Sequence, residues 1–326
     1  MKPRVFVSRP LLPVVIERLA ARCEVKVNSE DTALRPGALA EACHDVDGLV
    51  ACAVRVNEEV LRQATRLRVV ANVAAGYDNI DVPACTHRGI VVTNTPGVVT
   101  EITADTAFAL LLSAARRVTE LDRYVREGRW SHWEWGAMWG AEVNGKTLGL
   151  CGFGQIGQAM ARRARGFSMR VLYHTRQRAP QKLEKELSAR FVNRETLLRE
   201  SDFLSLHVPL TADTHHMIGA SELALMKPSA FLINTARGKV VDEEALVQAL
   251  RAKKIAGAGL DVFEHEPHPH PGLATLPNVV LLPHIGSASA ESRMRMAMRA
   301  VDNLLAALDG RTPPDVVNAE VFEAKS

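Results

Sequence analysis

The sequence lacks four features that would point to another class of protein. It has no apolar run long enough to span a bilayer. The apolar stretch near its start is broken by Arg9, Pro10, Pro13, Glu17 and Arg18, so no secretory h-region is expected. Cysteines are few: Cys23, Cys43, Cys52, Cys85 and Cys151 are odd in number and contain no CxxC pair. They read as reduced, mostly buried small hydrophobes rather than as a disulfide framework or a redox motif. Nor is there a block of like charge. The net charge is +3 and the basic residues are scattered, which argues against a nucleic acid or a membrane surface as partner. Together these absences predict a cytoplasmic globular protein.

What is present is an ordinary globular composition, 47% hydrophobic and 24% charged, spread over 326 residues. That length exceeds what one core usually serves, so two domains are expected. Short β-branched runs at 4–8, 24–27, 48–52, 68–73 and 90–94 alternate with amphipathic segments at 11–22, 36–43 and 58–64. Such alternation predicts a parallel sheet covered on both faces. Residues 101–126 read as one long helix with an acidic start and a basic end, which suits the helix dipole. A loop at 130–139 then holds all four tryptophans. A second α/β run follows, with strands expected at 147–151, 169–173, 202–207, 230–234, 256–262 and 278–282. The last long helix, 290–308, comes after that sheet is complete and is expected to return to the first domain. The expected fold is α/β with two doubly wound parallel-sheet domains. A Rossmann cofactor domain, 99–287, is inserted in a flavodoxin-like substrate domain, 1–98 and 288–326.

Gly152-Phe153-Gly154-Gln155-Ile156-Gly157 matches GxGxxG between the apolar strand LGLC and a helix, the context the dinucleotide motif requires. Gly152 would make the tight turn, Gly154 would let backbone approach a pyrophosphate, and Gly157 would pack the helix on the sheet. The helix N-terminus would present free N–H groups to the phosphates. About 20 residues further on, an acid would bind both ribose hydroxyls and repel a 2′-phosphate. Here the segment is His174-Thr175-Arg176-Gln177-Arg178, with no carboxylate. Thr175 together with Arg176 therefore predicts NADP(H), with NAD(H) as a weaker alternative, because a guanidinium can grip a phosphate with two hydrogen bonds.

Three polar residues follow strands of the second sheet: Arg237 after FLINTA, Glu266 after AGLDVF and His284 after VVLLP. Ligands in open α/β sheets bind outside the carboxyl ends of strands, so these three can converge. Reduction of a 2-oxo acid needs a fixed cation to hold the carboxylate and polarise the carbonyl. It also needs an acid for the forming alkoxide. A third group must keep that acid charged. Arg, His and Glu fit these tasks, since a carboxylate beside an imidazole favours the imidazolium. The run His265-Glu266-Pro267-His268-Pro269-His270 carries histidines without a cysteine or clustered acid to complete a metal site, so no metal is expected.

The sequence resembles the D-isomer-specific 2-hydroxyacid dehydrogenases over nearly its whole length, and most closely their glyoxylate/hydroxypyruvate reductase branch. The stretches that carry the resemblance are 149–157, 232–242 (LINTARGKVVD), 257–267 (GAGLDVFEHEP) and 282–287 (LPHIGS). It implies that Arg237, Glu266 and His284 are the catalytic arginine, glutamate and histidine. It implies a substrate loop at 72–79, where backbone N–H groups of Ala74, Ala75 and Gly76 bind the carboxylate. It further implies cofactor contacts at Thr106, Gln155, Ile156, Val208, Pro209, Thr235, Ala236, Asp261 and Gly286, beside Arg237 and His284. A homodimer is implied too, with a tryptophan of the 130–139 loop reaching the neighbouring active site. The spacing around 133–140 departs from the branch, which leaves Trp135 and Trp139 as candidates. Residues 52–56 lack the family's acid–arginine pair, although Arg55 is present. Both departures bear on substrate choice. Related enzymes acting on phosphite, 2-ketogluconate or D-lactate share the scaffold, as do dinucleotide-sensing corepressors without turnover.

Overall fold

The computed structural model describes residues 1–323. The chain divides into two compact units, Met1–Val99 with Ala288–Ser326, and Thr100–Ser287.

The first unit opens with β1 (Arg4–Val7), α1 (Pro13–Ala20), β2 (Glu24–Val27), α2 (Pro36–Cys43), β3 (Gly48–Ala51), α3 (Glu58–Gln63), β4 (Val69–Asn72), α4 (Val82–His87) and β5 (Val91–Thr93). Proline occupies the first turn of α1, α2 and α4, where its missing N–H costs nothing. Asn57 and Asp81 accept the N–H groups of Val60 and Ala84 and so cap α3 and α4. The strands pair in parallel in the order β2-β1-β3-β4-β5, the flavodoxin-like order. β3 and β4 are buried along their whole length, as central strands covered on both faces must be. The edge strand β2 is not buried at any residue.

The second unit contains α5 (Thr100–Ala115), α6 (Val118–Arg126), β6 (Thr147–Cys151), α7 (Gln155–Gly166), β7 (Arg170–His174), α8 (Gln181–Leu187), β8 (Ala189–Phe191), α9 (Arg194–Glu200), β9 (Phe203–Leu206), α10 (Ala220–Leu225), β10 (Phe231–Asn234), α11 (Glu243–Arg251), β11 (Gly257–Leu260), α12 (Pro271–Ala274) and β12 (Val279–Leu281). Its seven parallel strands run β12-β11-β10-β9-β6-β7-β8, so the order reverses at the β6–β9 boundary. Side chains alternate between two cores. Along β9, Phe203 enters the cluster shared with α5 and α7, while Leu204 and Leu206 enter the one shared with α9, α10 and α11. Two further helices, α13 (Ala290–Leu308) and α14 (Glu320–Glu323), return to the first unit, where α13 packs on α1, β3, β4 and β5.

Two features differ from the sequence reading. The helix expected over 101–126 breaks into α5 and α6 at Arg117, whose φ is +56°. The returning chain at Gly140 and Ala141 crosses the end of α5: the Ala141 N–H donates to the Ala115 carbonyl at 2.7 Å. A Cβ on Gly140 would lie 2.6 Å from that oxygen, so only glycine lets the crossing occur there. Arg117 in turn forks onto Glu120, which fixes the new helix start. The short edge strand β8 was not expected; three residues, one of them Arg190, give too little alternation to read.

Candidate active site

The glycine turn sits where β6 meets β9. Gly152 has φ +95°, and a Cβ there would lie 2.3 Å from the His207 carbonyl oxygen and 3.1 Å from Val208 Cγ1. Only glycine allows this approach, which brings the 208–209 turn against the 152–157 loop. A Cβ on Gly157 would meet the Gly152 carbonyl at 2.4 Å, so α7 packs directly on the turn. Gly154 is different: it is exposed, nothing surrounds its Cβ position, and it caps α7 without a side chain. The first N–H groups of α7, on Gln155, Ile156 and Gly157, therefore lack an acceptor from a cap and stand at the positive end of a twelve-residue helix.

Beyond β7, Thr175 is half-buried and Arg176 is exposed, with no hydrogen-bond or ion-pair partner among the described residues. Arg178 is committed elsewhere, since its Nε and Nη2 donate to the two oxygens of Glu184 at 2.9 and 2.8 Å. Of the two arginines in this loop, only Arg176 is available to a ligand.

β10 ends in a turn that presents Thr235, Ala236 and Arg237. Asn234 is buried, and its amide locks that turn by accepting the Ala236 N–H at 3.0 Å and donating to the Arg237 carbonyl at 2.9 Å. A Cβ on Gly238 would lie 1.8 Å from the Phe263 carbonyl carbon, so backbone lies on backbone and the Arg237 turn abuts the segment leading to Glu266. Thr235 Oγ1 is buried and has no partner among the described residues, an unmet polar atom at a strand's carboxyl end.

Glu266 and His284 meet there. Glu266 Oε1 accepts the Phe263 N–H at 3.1 Å, and Oε2 lies 2.7 Å from His284 Nδ1. Burial pushes the Glu266 carboxyl up. The hydrogen bond and charge of His284, the Phe263 N–H and the positive charge of Arg237 outweigh it and hold the group below the usual carboxylate range. His284 itself has φ +54°, a conformation non-glycine residues seldom adopt. The turn is held by Asp261, which is buried and accepts the N–H groups of Ile285 and Gly286 at 2.7 Å each. Thr103 Oγ1 donates to the Gly286 carbonyl at 3.1 Å. The Asp261 carboxylate thus serves the turn that carries His284. Thr106, one turn along α5 from Thr103, donates its hydroxyl to the Ile102 carbonyl at 3.1 Å.

In the first unit the 72–79 loop has a consistent polarity. The carbonyl oxygens of Ala74, Ala75 and Gly76 accept from Thr95 N at 2.9 Å, Asn94 Nδ2 at 2.7 Å and Asn72 Nδ2 at 2.8 Å. The N–H groups of the same three residues donate to nothing among the described residues. With its carbonyls tied back, the loop offers donors only, the arrangement an anionic group requires.

The sequence reading missed the residues that support this site: Asn234, Gly238, the use Asp261 makes of its carboxylate, and the asparagines 72 and 94. Asn234 carried a usable signal, an asparagine at a strand end before a turn, where its side chain competes for backbone groups.

Known proteins share this architecture. The family model described as D-isomer specific 2-hydroxyacid dehydrogenase, NAD binding domain, matches residues 108–286. The glyoxylate reductase of Thermococcus litoralis is 51% identical over 327 residues, covering 99% of this chain and 98% of that protein. Among solved structures, the TT0316 protein from Thermus thermophilus superposes with a TM-score of 0.90 at 46% identity, covering 96% of this chain and 99% of that one. An NADPH-dependent glyoxylate/hydroxypyruvate reductase from Sinorhizobium meliloti, solved with NADP and malonate, gives a TM-score of 0.86 at 37% identity, with 97% of each chain covered.

Proposed function

The chain belongs to the D-isomer-specific 2-hydroxyacid dehydrogenases, in the glyoxylate reductase branch, and from that premise we propose that it reduces glyoxylate or hydroxypyruvate to the 2-hydroxy acid with NADPH. It is an NAD(P)-dependent oxidoreductase. The observation that carries the finer reading is the 2.7 Å contact between Glu266 and His284 at the carboxyl edge of the second sheet.

The residues present fit a nicotinamide dinucleotide. Open space at Gly154, unaccepted N–H groups at the start of α7 and the unmet Thr235 hydroxyl lie at the carboxyl ends of β6 and β10 in one sheet. The absence of a carboxylate at Thr175 and the unpaired Arg176 favour a 2′-phosphate. When bound, the reduced nicotinamide supplies the hydride.

This chain's residues do the rest. Arg237 polarises the substrate carbonyl and fixes its orientation. The Ala74, Ala75 and Gly76 N–H groups take the carboxylate. Glu266 occupies Nδ1 of His284, so the proton given to the forming alkoxide leaves from Nε2. Asp261 keeps the ring in place through the 284–286 turn.

A panel of 2-oxo acids offered with NADPH and with NADH, followed by loss of nicotinamide absorbance, tests the proposal. Glyoxylate or hydroxypyruvate with NADPH should give the highest kcat/KM. A higher value for pyruvate or 2-ketogluconate, or oxidation of phosphite, would move the substrate assignment. Tight NADPH binding without turnover of any of them would favour a sensing protein.

A further inference from the structure

Beneath the two dinucleotide loops lies a buried polar group that neither loop explains. Tyr173, at the end of β7, is fully buried. Its ring stacks on Phe153, the residue between Gly152 and Gly154, at 4.0 Å and 18°. Its hydroxyl donates to Glu184 Oε1 at 2.5 Å and accepts the Ala179 N–H at 3.0 Å. Glu184, on α8, is itself buried and also carries the fork from Arg178. The Arg178 guanidinium lies 6.0 Å over the Phe191 ring of β8.

A carboxylate is rarely buried unless it is fully paired. This one is paired with a guanidinium and a phenol, and both partners belong to the segment that carries Thr175 and Arg176. The Arg178 and Tyr173 hydrogen bonds hold Glu184 down at about 2. Burial, with the hydrogen bond to Glu184, pushes the Tyr173 hydroxyl up to about 12. Near neutral pH the group is therefore an anion bound by a neutral phenol and a cation. It ties the 174–180 loop at its root through Tyr173, in its middle through Arg178 and at its end through Ala179. Arg176 is left as the one arginine of that loop without a partner among the described residues.

We infer that the buried pair Glu184 and Tyr173, with the exposed Arg178 forked onto it, forms a frame that positions Thr175 and Arg176, and so sets the preference for an adenosine carrying a 2′-phosphate over one without it. These are positioning residues, because none of them is proposed to touch the ligand. The inference rests on the reading of Arg176 as the phosphate-binding cation given above. Tyr173 also stacks on Phe153 of the glycine turn, and that contact survives removal of the hydroxyl alone, so loss of the hydrogen bonds should affect the 2′-phosphate end before the rest of the site.

The test uses calorimetry on the full chain with two probes, adenosine 2′,5′-bisphosphate and adenosine 5′-monophosphate. Wild type should bind the bisphosphate at least tenfold more tightly. Tyr173→Phe keeps the stacked ring and removes the hydroxyl; Glu184→Gln removes the charge. Each should lower that ratio fivefold or more while the Kd for the monophosphate stays within twofold. The unchanged monophosphate Kd separates mispositioning from misfolding. If Glu184→Gln fails to fold, Tyr173→Phe decides alone. A ratio within twofold of wild type in Tyr173→Phe would overturn the frame. A ratio that rises in Glu184→Gln, because the freed Arg178 binds the phosphate, would overturn it as well. If wild type itself shows no preference, the Arg176 reading fails, whatever the variants do.

Discussion

Glu266 Oε2 lies 2.7 Å from Nδ1 of His284, and the two residues are 18 positions apart on the segments that follow β11 and β12. The neighbouring strands place these segments side by side. The carboxylate sits on Nδ1 and so fixes the tautomer. Because Glu266 is held below the usual carboxylate range, its stabilisation of the pair is fully present above that range. It is lost only as pH falls through the lowered value.

The reduction rate should therefore fall on the acid side only below the ordinary carboxylate range, as Glu266 gains a proton. In Glu266→Gln that acid limb should disappear. A pH–rate profile for Glu266→Gln that overlays the wild type would count against the pairing.

Arg237→Ala should abolish most turnover while NADPH still binds. One oriented charge in a closed site contributes about 3 kcal/mol to the transition state, roughly a hundredfold in kcat/KM. Asn234 locks its turn with two hydrogen bonds that the substitution leaves in place, although the Arg237 Nη1 bond to the Ala236 carbonyl is lost, so the fold should survive the change. Fluorescence titration with NADPH alongside steady-state kinetics checks both halves. Retained kcat/KM would remove Arg237 from the reaction.

Arg176→Ala should raise KM for NADPH about ten- to a hundredfold and leave KM for NADH nearly unchanged. A charge-assisted hydrogen bond contributes roughly 1.5–3 kcal/mol, and Arg178 cannot take over while it is paired with Glu184. Thr175→Asp should shift preference toward NADH through repulsion of the phosphate. Wild-type enzyme that uses NADH as well as NADPH would contradict this reading but leave the dehydrogenase assignment intact.

The protein should be a homodimer in solution, formed through α6 and the tryptophan loop. No residue of α6 is buried, and Val118 and Val125 are exposed on it. Trp130, Trp133, Trp135 and Trp139 are 56%, 72%, 80% and 70% exposed, a large apolar surface for a lone chain to leave in water. The first helix of the 101–126 stretch, α5, is left out of that contact because it buries its apolar residues within its own unit. Light scattering at micromolar concentration should give twice the chain mass. A monomer would end the proposal.

Much of this was legible in the sequence. The helix read at 290–308 forms over those residues as α13, since a long amphipathic run begun by Ser289 as cap is a strong signal. The GxGxxG turn is legible because Gly152 and Gly157 answer steric demands of the turn, while Gly154 leaves open space before the helix. Support of the site was harder to see. Asp261 serves a turn 24 residues away, and Glu184 meets Tyr173 only because α8 folds back on β7. Such pairings are tertiary and leave no periodic trace. The break at Arg117 was hidden for the same reason: it is made by a crossing chain at Gly140, with no glycine or proline of its own.

Reduction of a 2-oxo acid by this chain is proposed to take its proton from His284. Initial rates of NADPH consumption with glyoxylate, for wild type and for His284→Ala at matched NADPH saturation, test it most directly. Saturable turnover is expected in the wild type, and a loss of at least about a hundredfold in kcat in the variant, with NADPH affinity kept. A variant as fast as wild type, or a wild type that binds NADPH and turns over no 2-oxo acid, would contradict it.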